Sequence, residues 1–371
     1  MIFDNIFNPH NWAVVPFHFW SLVFFVFGSI VGSFLNVCIY RMPLDLSVVS
    51  PPSHCPHCKY SIPFYLNIPL LTWLSLRGRC KNCGAPISPR YFAVELLTGL
   101  AFLACWLAFG QQSAWLPVVY SIFLAGLITA TFIDFEHFII PDEITLGGAA
   151  AGFVVSILLP QLHGVQRWQE GALQGLLGIV VGAGIVYAVL RMGKILFGRQ
   201  KLKLDGETKI IFTETALIFP GHEIPYEEIF YRKSDAILLE ARTVELIDRS
   251  YRDVKLRLTP GALKVGDEEF DPESMPHLEA VCSEIVLPRE AMGLGDVKFM
   301  AAIGAFLGWQ GAVFSLMASS LIGSAVGVTL IIARKREWSS RMPYGPYIAF
   351  AALIWMFCGK KILAAVLPGT F

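Results

Sequence analysis

Long apolar runs, separated by short polar links, fill most of this chain. They fall at about 17–40, 92–110, 114–133, 143–160, 172–192, 297–309, 311–333 and 343–358, the last extending toward 368. A bilayer-spanning helix needs roughly 20 apolar residues, and most of these runs approach that length. The run at 297–309 is short, and spans only where the bilayer thins or neighbours shield its ends. The pattern therefore predicts about eight transmembrane helices. The opening stretch MIFDNIFNPHNWAVVPFHFW has no basic region, and no small-residue cleavage pattern follows it. It reads as the lead into a retained helix, not as a secretory signal.

Two stretches break the pattern. Residues 41–92 are polar, basic and cysteine-bearing. Residues 195–290 carry TKIIFT, ALIF, AILLEA, TVELID and VKLRLT, short β-branched-rich runs between Gly, Pro and acidic turns. Five or six strands are expected there. PESMPHLEAVCSEIV then reads as one helix with Pro in its first turn. His222 and His277 are isolated in this segment and read as solvated surface. The expected division is 1–40 as the first transmembrane helix, 41–92 as a cytoplasmic cysteine-bearing module, 93–194 as helices two to five, 195–290 as an inserted β-rich cytoplasmic domain, and 291–371 as helices six to eight.

Composition sharpens this reading. The 371 residues are 55% hydrophobic and 16% charged, where soluble domains lie nearer half apolar and a quarter charged. The fold class expected is a polytopic α-helical membrane protein, with membrane lipid as its surroundings. Net charge is zero, so no strongly basic surface points to nucleic acid. Basic residues are nonetheless uneven. Residues 41–91 hold Arg41, Lys59, Arg77, Arg79, Lys81 and Arg90 against the single acid Asp45, which makes that loop cytoplasmic by the positive-inside rule. Arg191, Lys194, Arg199, Lys201, Lys203 and the ARKR run at 333–336 agree with the topology that follows; Lys360 and Lys361 disagree mildly.

Against this background two acids stand out. Asp134 closes an apolar run in TATFIDFEHFIIPDEITL, and Asp296 opens another in AMGLGDVKFMAAIGAFLGW. A carboxylate beside hydrocarbon is costly, so each is a functional candidate. The topology brings both to the cytoplasmic membrane surface. Two carboxyls that can share one proton form the dyad of aspartyl proteolysis. Taken alone, Asp296 serves equally well as the cap of the helix behind it; the glycines of GLGD would let it approach a partner carboxyl and a substrate backbone. Glu136 reads as solvated, and Asp142, after Pro141, as the start of the next helix.

Eight cysteines do not make a disulfide scaffold here. Cys55, Cys58, Cys80 and Cys83 form two CxxC pairs with 21 residues between them, just beyond the usual zinc-ribbon spacing. Four thiolates make a closed tetrahedral structural zinc site, and a reducing compartment favours metal over disulfides. A redox pair is the weaker alternative. Cys38, Cys105, Cys282 and Cys358 are scattered, and read as buried, inert thiols.

Taken together, these pieces resemble a known family. GSIVGSFLNVCIYRMP at 28–43, the two CxxC pairs, LLTWLSLRGRCKNCGAPISPRYFAVELLTG at 70–99, IDFEHFIIPD at 133–142, MGLGDVKFMAAIGAFLGWQ at 292–310 and MPYGPYIAFAALIW at 342–355 resemble the bacterial type IV prepilin peptidases. That is the bifunctional leader peptidase and N-methyltransferase family of GxGD aspartyl proteases. The resemblance covers the chain except the insert, since most relatives join the fifth span to GxGD by a short link. It implies Asp134 and Asp296 as the catalytic pair and Cys55, Cys58, Cys80 and Cys83 as zinc ligands. It implies prepilins and type II secretion pseudopilins as substrates, in the bacterial inner membrane. Methylation of the freed N-terminus would use S-adenosylmethionine, with Arg41, Asn67, Arg77, Arg79 and Glu95 of the zinc-containing part as candidate polar contacts. The insert is open as a gate, a substrate selector or a dock for an assembly machine. Three competitors stay in view: a peptidase without methyl transfer, a proton-coupled transporter, and a non-catalytic pilus-assembly scaffold. A transporter expects its carboxylates near the bilayer midplane.

Overall fold

The computed structural model describes residues 16–220, 222–230, 235–246, 249–272, 277–288, 293–333 and 342–366. The N-terminal 15 residues and most of the basic run at 333–336 lie outside the described residues. The chain forms two compact units, Met1–Val186 with Leu294–Phe371, and Tyr187–Gly293.

The first unit is helical. Its helices are α1 (Phe17–Arg41), α2 (Leu71–Ser75), α3 (Pro89–Phe109), α4 (Trp115–His137), α5 (Asp142–Leu158), the start of α6 (Trp168–Phe197), and, beyond the second unit and its own short helix α7 (Tyr226–Ile229), α8 (Leu294–Ile332) and α9 (Gly345–Val366). Among the described residues, five stretches are long and apolar enough to cross a membrane: Phe17–Leu44, Pro89–Phe109, Trp115–His137, Trp168–Ile195 and Leu294–Ile332. Each apolar run expected from the sequence overlaps a helix, with ends shifted by one or a few residues.

Local chemistry starts and stops these helices. Pro89 takes the first position of α3, where its missing N–H costs nothing, and the Ser88 hydroxyl accepts from the Arg90 N–H at 3.3 Å. Lipid provides no hydrophobic drive between helices, so close contact comes from small residues. A Cβ on Gly28 would lie 2.8 Å from Phe102 Cβ, and one on Gly32 would lie 2.8 Å from Glu95 Cα. α1 and α3 therefore pack nearly backbone to backbone. Gly152 sits against Ala305 and Phe306, while Gly178 and Gly182 meet the backbone of Gly304 and Met300.

α8 is not one continuous rod. Gly308 has φ 71° and ψ 176°, outside helical geometry. A Cβ on Gly182 would touch both the Met300 carbonyl and the Ala312 side chain. Twelve residues of unbroken helix would separate those groups by about 18 Å, so the chain folds back at Gly308. The break divides the expected runs at 297–309 and 311–333.

The second unit is one eight-stranded antiparallel sheet. Its strands are β1 (Arg199–Thr213), β2 (Ala216–Phe219), β3 (His222–Pro225), β4 (Ile237–Glu245), β5 (Ser250–Thr259), β6 (Ala262–Val265), β7 (Glu268–Phe270) and β8 (His277–Pro288), in the order β3-β2-β1-β8-β4-β5-β6-β7. Its core includes Ile210, Leu217, Ile237, Val244, Leu256, Leu278 and Ile285.

Two expectations are corrected here. AILLEA and the start of TVELID meet in one strand, β4, with Ile247 and Asp248 outside the described residues, while β3, β6 and β7 are short strands that carried no clear run. Residues 273–276 of the expected helix lie outside the described residues, and from His277 on it is instead β8, a central strand between β1 and β4. Leu278, Ala280 and Cys282 point inward in alternation, and Ile285 and Leu287 resume it. That period of two outweighed the helix-forming Glu and Ala.

Candidate active site and metal centre

Asp134 lies in the last turn of α4. It is 5% exposed, beside the fully buried Ala130 and Ile133. Phe138 closes the helix in a left-handed conformation at φ 56°, and its N–H donates to the Asp134 carbonyl. The carboxylate has a partner from far along the chain: the Gly345 N–H, at the first residue of α9, donates to Asp134 Oδ2 at 2.8 Å. A Cβ on Gly345 would lie 2.8 Å from that oxygen and 3.1 Å from Ile140 Cδ1. Gly345 is thus required by space.

Ile140 links this carboxylate to the GxGD segment. It is 9% exposed, and a Cβ on Gly295 would lie 3.7 Å from Ile140 Cβ. Asp296 follows directly, half-buried in the first turn of α8. Asp134, Ile140, Gly345 and Gly295 therefore form one contiguous set of contacts. It brings the C-terminal end of α4 and the N-terminal ends of α8 and α9 to a single place.

Neighbouring acids are committed elsewhere. Glu136 pairs with Arg90 from the start of α3. Asp142 accepts from Lys298 Nζ at 2.7 and 2.9 Å. The Tyr344 hydroxyl lies 2.9 Å from Ser319 Oγ and Ser320 Oγ, which fastens the approach to α9 onto α8. Sequence reasoning gave Gly345 and Tyr344 no role; the PYGPY run, with Gly and Pro at a helix entry, was the available signal.

The four cysteines of the CxxC pairs converge. Their sulfurs lie within 4.8 Å of one another, with Cys55–Cys83 at 3.8 Å and Cys58–Cys80 at 4.0 Å. A tetrahedral zinc with Zn–S near 2.3 Å needs sulfurs about 3.8 Å apart, so the set fits that ion. The two knuckles are built alike. Cys55 N–H donates to Tyr60 O and Lys59 N–H to Cys55 O, while Cys80 N–H donates to Ala85 O and Gly84 N–H to Cys80 O. Lys59 and Gly84, each just after its pair, have φ of 58° and 70°. The Asn82 amide donates to Cys58 Sγ at 3.5 Å and, with the backbone near Tyr60, holds that thiol down at about 6. Backbone N–H groups of Cys83 and Asn82 lower Cys80 as well. Low thiols at Cys58 and Cys80 favour the thiolates a metal requires, while at Cys83 the lowering Ala85 backbone contact is outweighed by desolvation and the neighbouring sulfurs, which push that thiol up to about 11. Cys38, Cys105 and Cys282 are buried, whereas Cys358 is exposed.

The five candidate methyl-donor contacts divide. Arg41 is 8% exposed, and its guanidinium donates to Ser47 O at 2.9 Å and Pro51 O at 2.6 Å. Glu95 is also buried and accepts from the Leu70 N–H at 2.7 Å, holding Leu70 at φ 62°. Both are committed to backbone. Asn67, Arg77 and Arg79 are exposed.

Comparison with known proteins agrees with this architecture. The model of the bacterial peptidase A24 N-terminal domain matches residues 26–109. That of the type IV leader peptidase family matches 121–203 and 278–328, on either side of most of the sheet. The chain is 30% identical to a prepilin leader peptidase/N-methyltransferase of Aeromonas hydrophila, over 94% of this chain and 93% of that protein. It is 39% identical to a protein of the same name from Myxococcus xanthus, over 49% of this chain and 58% of that one. A type 4 prepilin-like proteins leader peptide-processing enzyme of Escherichia coli is also 39% identical, over 46% and 71%. No solved structure matches.

Proposed function

The chain belongs to the type IV leader peptidase family, and from that premise we propose that it cleaves leaders from prepilins and pseudopilins, then N-methylates the new N-terminal residue, with Asp134 and Asp296 as its aspartyl dyad. The observation that carries the site is the packing of both Gly345, whose N–H binds the buried Asp134, and Gly295, beside Asp296 in the first turn of α8, against Ile140. The protein lies in the bacterial inner membrane, with eight spans and the dyad at the cytoplasmic face. There the basic leader of a prepilin meets its apolar helix.

Proteolysis needs one carboxylate ionised and one protonated. The ionised member takes a proton from water, whose oxygen attacks the scissile carbonyl carbon. The protonated member donates to the carbonyl oxygen. As the C–N bond breaks, a proton returns to the leaving amine. The Gly345 N–H donates to Oδ2 of Asp134 and so helps to orient its carboxyl group.

Zinc held by Cys55, Cys58, Cys80 and Cys83 folds a module with little core of its own; it takes no part in peptide cleavage. S-adenosylmethionine supplies the methyl group for the second reaction. Of the candidate contacts, Asn67, Arg77 and Arg79 keep exposed side chains for it, while Arg41 and Glu95 shape the module around them.

The test is leader removal from a prepilin by the wild type, Asp134→Asn and Asp296→Asn, with the product N-terminus read by mass spectrometry. Loss of cleavage in both variants, with methylation of a pre-cleaved pilin retained, is the expected result. Wild-type cleavage by either variant refutes the dyad.

A further inference from the structure

Asp296 is bracketed by two contacts to the same link. On one side, Gly295 abuts Ile140. On the other, Lys298 Nζ reaches both carboxylate oxygens of Asp142, at 2.7 and 2.9 Å. Ile140 and Asp142 lie in the short connection that leaves Asp134 at the end of α4 and begins α5. Pro141, between them, is the N-cap of α5 and offers no side-chain cap. Asp142 therefore stands at a helix N-terminus where negative charge is favoured.

Lys298 does not itself face Asp296. Residues two apart on a helix point about 200° apart. One side of the first turn of α8 thus carries Asp296, while the opposite side is held through Lys298 to the connection from Asp134. The ion pair is partly exposed, at 36% for Lys298 and 56% for Asp142. Pairs in such surroundings contribute little to stability. Its geometry is nonetheless specific, with one ammonium on two oxygens, and it joins the two segments whose separation decides whether two carboxyls can share a proton.

We propose that the Lys298–Asp142 ion pair is a positioning clamp, fixing the first turn of α8 against the link from Asp134 and so setting the spacing of the two aspartates. The inference rests on reading Asp134 and Asp296 as the dyad. Neither clamp residue touches the scissile bond. Displacement of a catalytic group by about 1 Å costs on the order of 100-fold in rate, so a pair of small energetic worth can carry a large kinetic effect.

The experiment uses the full-length enzyme in detergent with a purified prepilin. Asp142→Asn, Lys298→Gln, Lys298→Arg and the exchanged double variant Asp142→Lys/Lys298→Asp are compared for kcat, KM and thermal unfolding midpoint. Methylation of a pre-cleaved pilin serves as the internal control. For the neutralising variants the expected result is a fall in kcat of about 10- to 100-fold, with KM, unfolding midpoint and methylation unchanged. Lys298→Arg keeps most of the activity, and the exchanged pair recovers at least part of what each neutralisation loses.

Three outcomes overturn the clamp. Neutralisation could leave kcat within twofold. KM could rise while kcat holds, which would make these residues substrate contacts. Or neither Lys298→Arg nor the exchanged pair could recover activity, so that the two residues act separately. Asp134→Asn and Asp296→Asn run in the same assay keep the two claims apart. If they cleave, the dyad reading fails and the clamp falls with it; if they are inactive and the clamp variants are not, only the clamp falls.

Discussion

Asp134 and Gly345 are 211 positions apart in the chain, yet the backbone N–H of the second donates to the carboxylate of the first at 2.8 Å. The contact ties the C-terminal end of α4 to the N-terminal end of α9 and leaves no room for a side chain at position 345. The first prediction concerns that space. Gly345→Ala puts a methyl 2.8 Å from Asp134 Oδ2 and 3.1 Å from Ile140 Cδ1, so the carboxylate must turn or the helix must retreat. A misaligned or lost buried hydrogen bond costs about 1–3 kcal/mol, which is roughly 10- to 100-fold in kcat/KM for leader cleavage. Steady-state kinetics on a prepilin checks this, with methylation of a pre-cleaved pilin expected at the wild-type rate. Full cleavage by the variant would show that the Asp134–Gly345 contact is dispensable.

The pH profile of cleavage is the second prediction. A dyad works with one proton shared between two carboxyls. Acid protonates the base and base removes the proton from the acid, so kcat/KM falls on both sides of an optimum. A profile flat across the acidic range would exclude a carboxylate base. Methyl transfer at the proposed separate site has no reason to follow the same curve. Measuring both reactions on one preparation across pH separates the two sites.

The metal prediction follows from the sulfur geometry. Purified protein should carry one zinc per chain, as a closed four-thiolate site holds a single ion, and mass spectrometry of metal content measures it. Cys58→Ser and Cys80→Ser should each release the ion, because each variant removes one of the four thiolates. Residues 41–92 then become sensitive to protease, since the module contains few buried apolar side chains beyond Cys55. Leader cleavage should fall by only a few-fold if the module serves methyl transfer. Retention of stoichiometric zinc by both variants would sink the four-thiolate assignment.

A good part of this was legible beforehand, for identifiable reasons. Apolar runs near 20 residues betray helices because lipid satisfies no backbone group and demands a closed hydrogen-bond ladder. Asp134 stands out as a candidate because a carboxylate has few reasons to end an apolar run, and the convergence of the cysteines was legible because each CxxC pair has the spacing of one knuckle. Gly345 was hidden, since a backbone donor leaves no side-chain signal. Arg41 and Glu95, expected as ligand contacts, are buried and hydrogen-bonded to backbone at Ser47, Pro51 and Leu70, an outcome a lone buried charge does not announce in the sequence. β8 was misread because His277–Pro288 mixes helix formers with alternation, and its inward residues became evident only beside β1 and β4.

Helix packing yields a fourth prediction. Gly178 and Gly304 face each other so closely that a Cβ on either would collide with the carbonyl of the other. The obstacle is backbone, which cannot rotate aside as a side chain can. Gly178→Ala or Gly304→Ala should therefore destabilise the helical unit by at least about 1–3 kcal/mol, the usual cost of overpacking. Gly147→Ala and Gly184→Ala provide the contrast, as no atom lies within 4 Å of the added methyl. Thermal unfolding in detergent measures all four. Equal midpoints across the set would show that α6 and α8 do not pack as described.

The last prediction concerns the sheet. Its first and last strands are partners, with Arg199 opposite Pro288 and Gln200 opposite Leu287. Paired antiparallel residues lie about 5 Å apart, so the chain enters and leaves this unit at one place. Its core draws on β1, β2, β4, β5, β6 and β8 and is complete within the unit. Replacing residues 199–288 with a short Gly/Ser link should therefore leave the helical unit folded. Leader cleavage of a prepilin should remain within a few-fold of wild type, because the proposed dyad, its clamp and Gly345 lie on α4, α5, α8 and α9. The unfolding midpoint reports whether the shortened protein is intact. An intact but inactive variant would mean that the sheet takes part in cleavage. An active one would confine its role to choosing substrates or partners, which competition between a pilin and a pseudopilin on the two forms would then resolve.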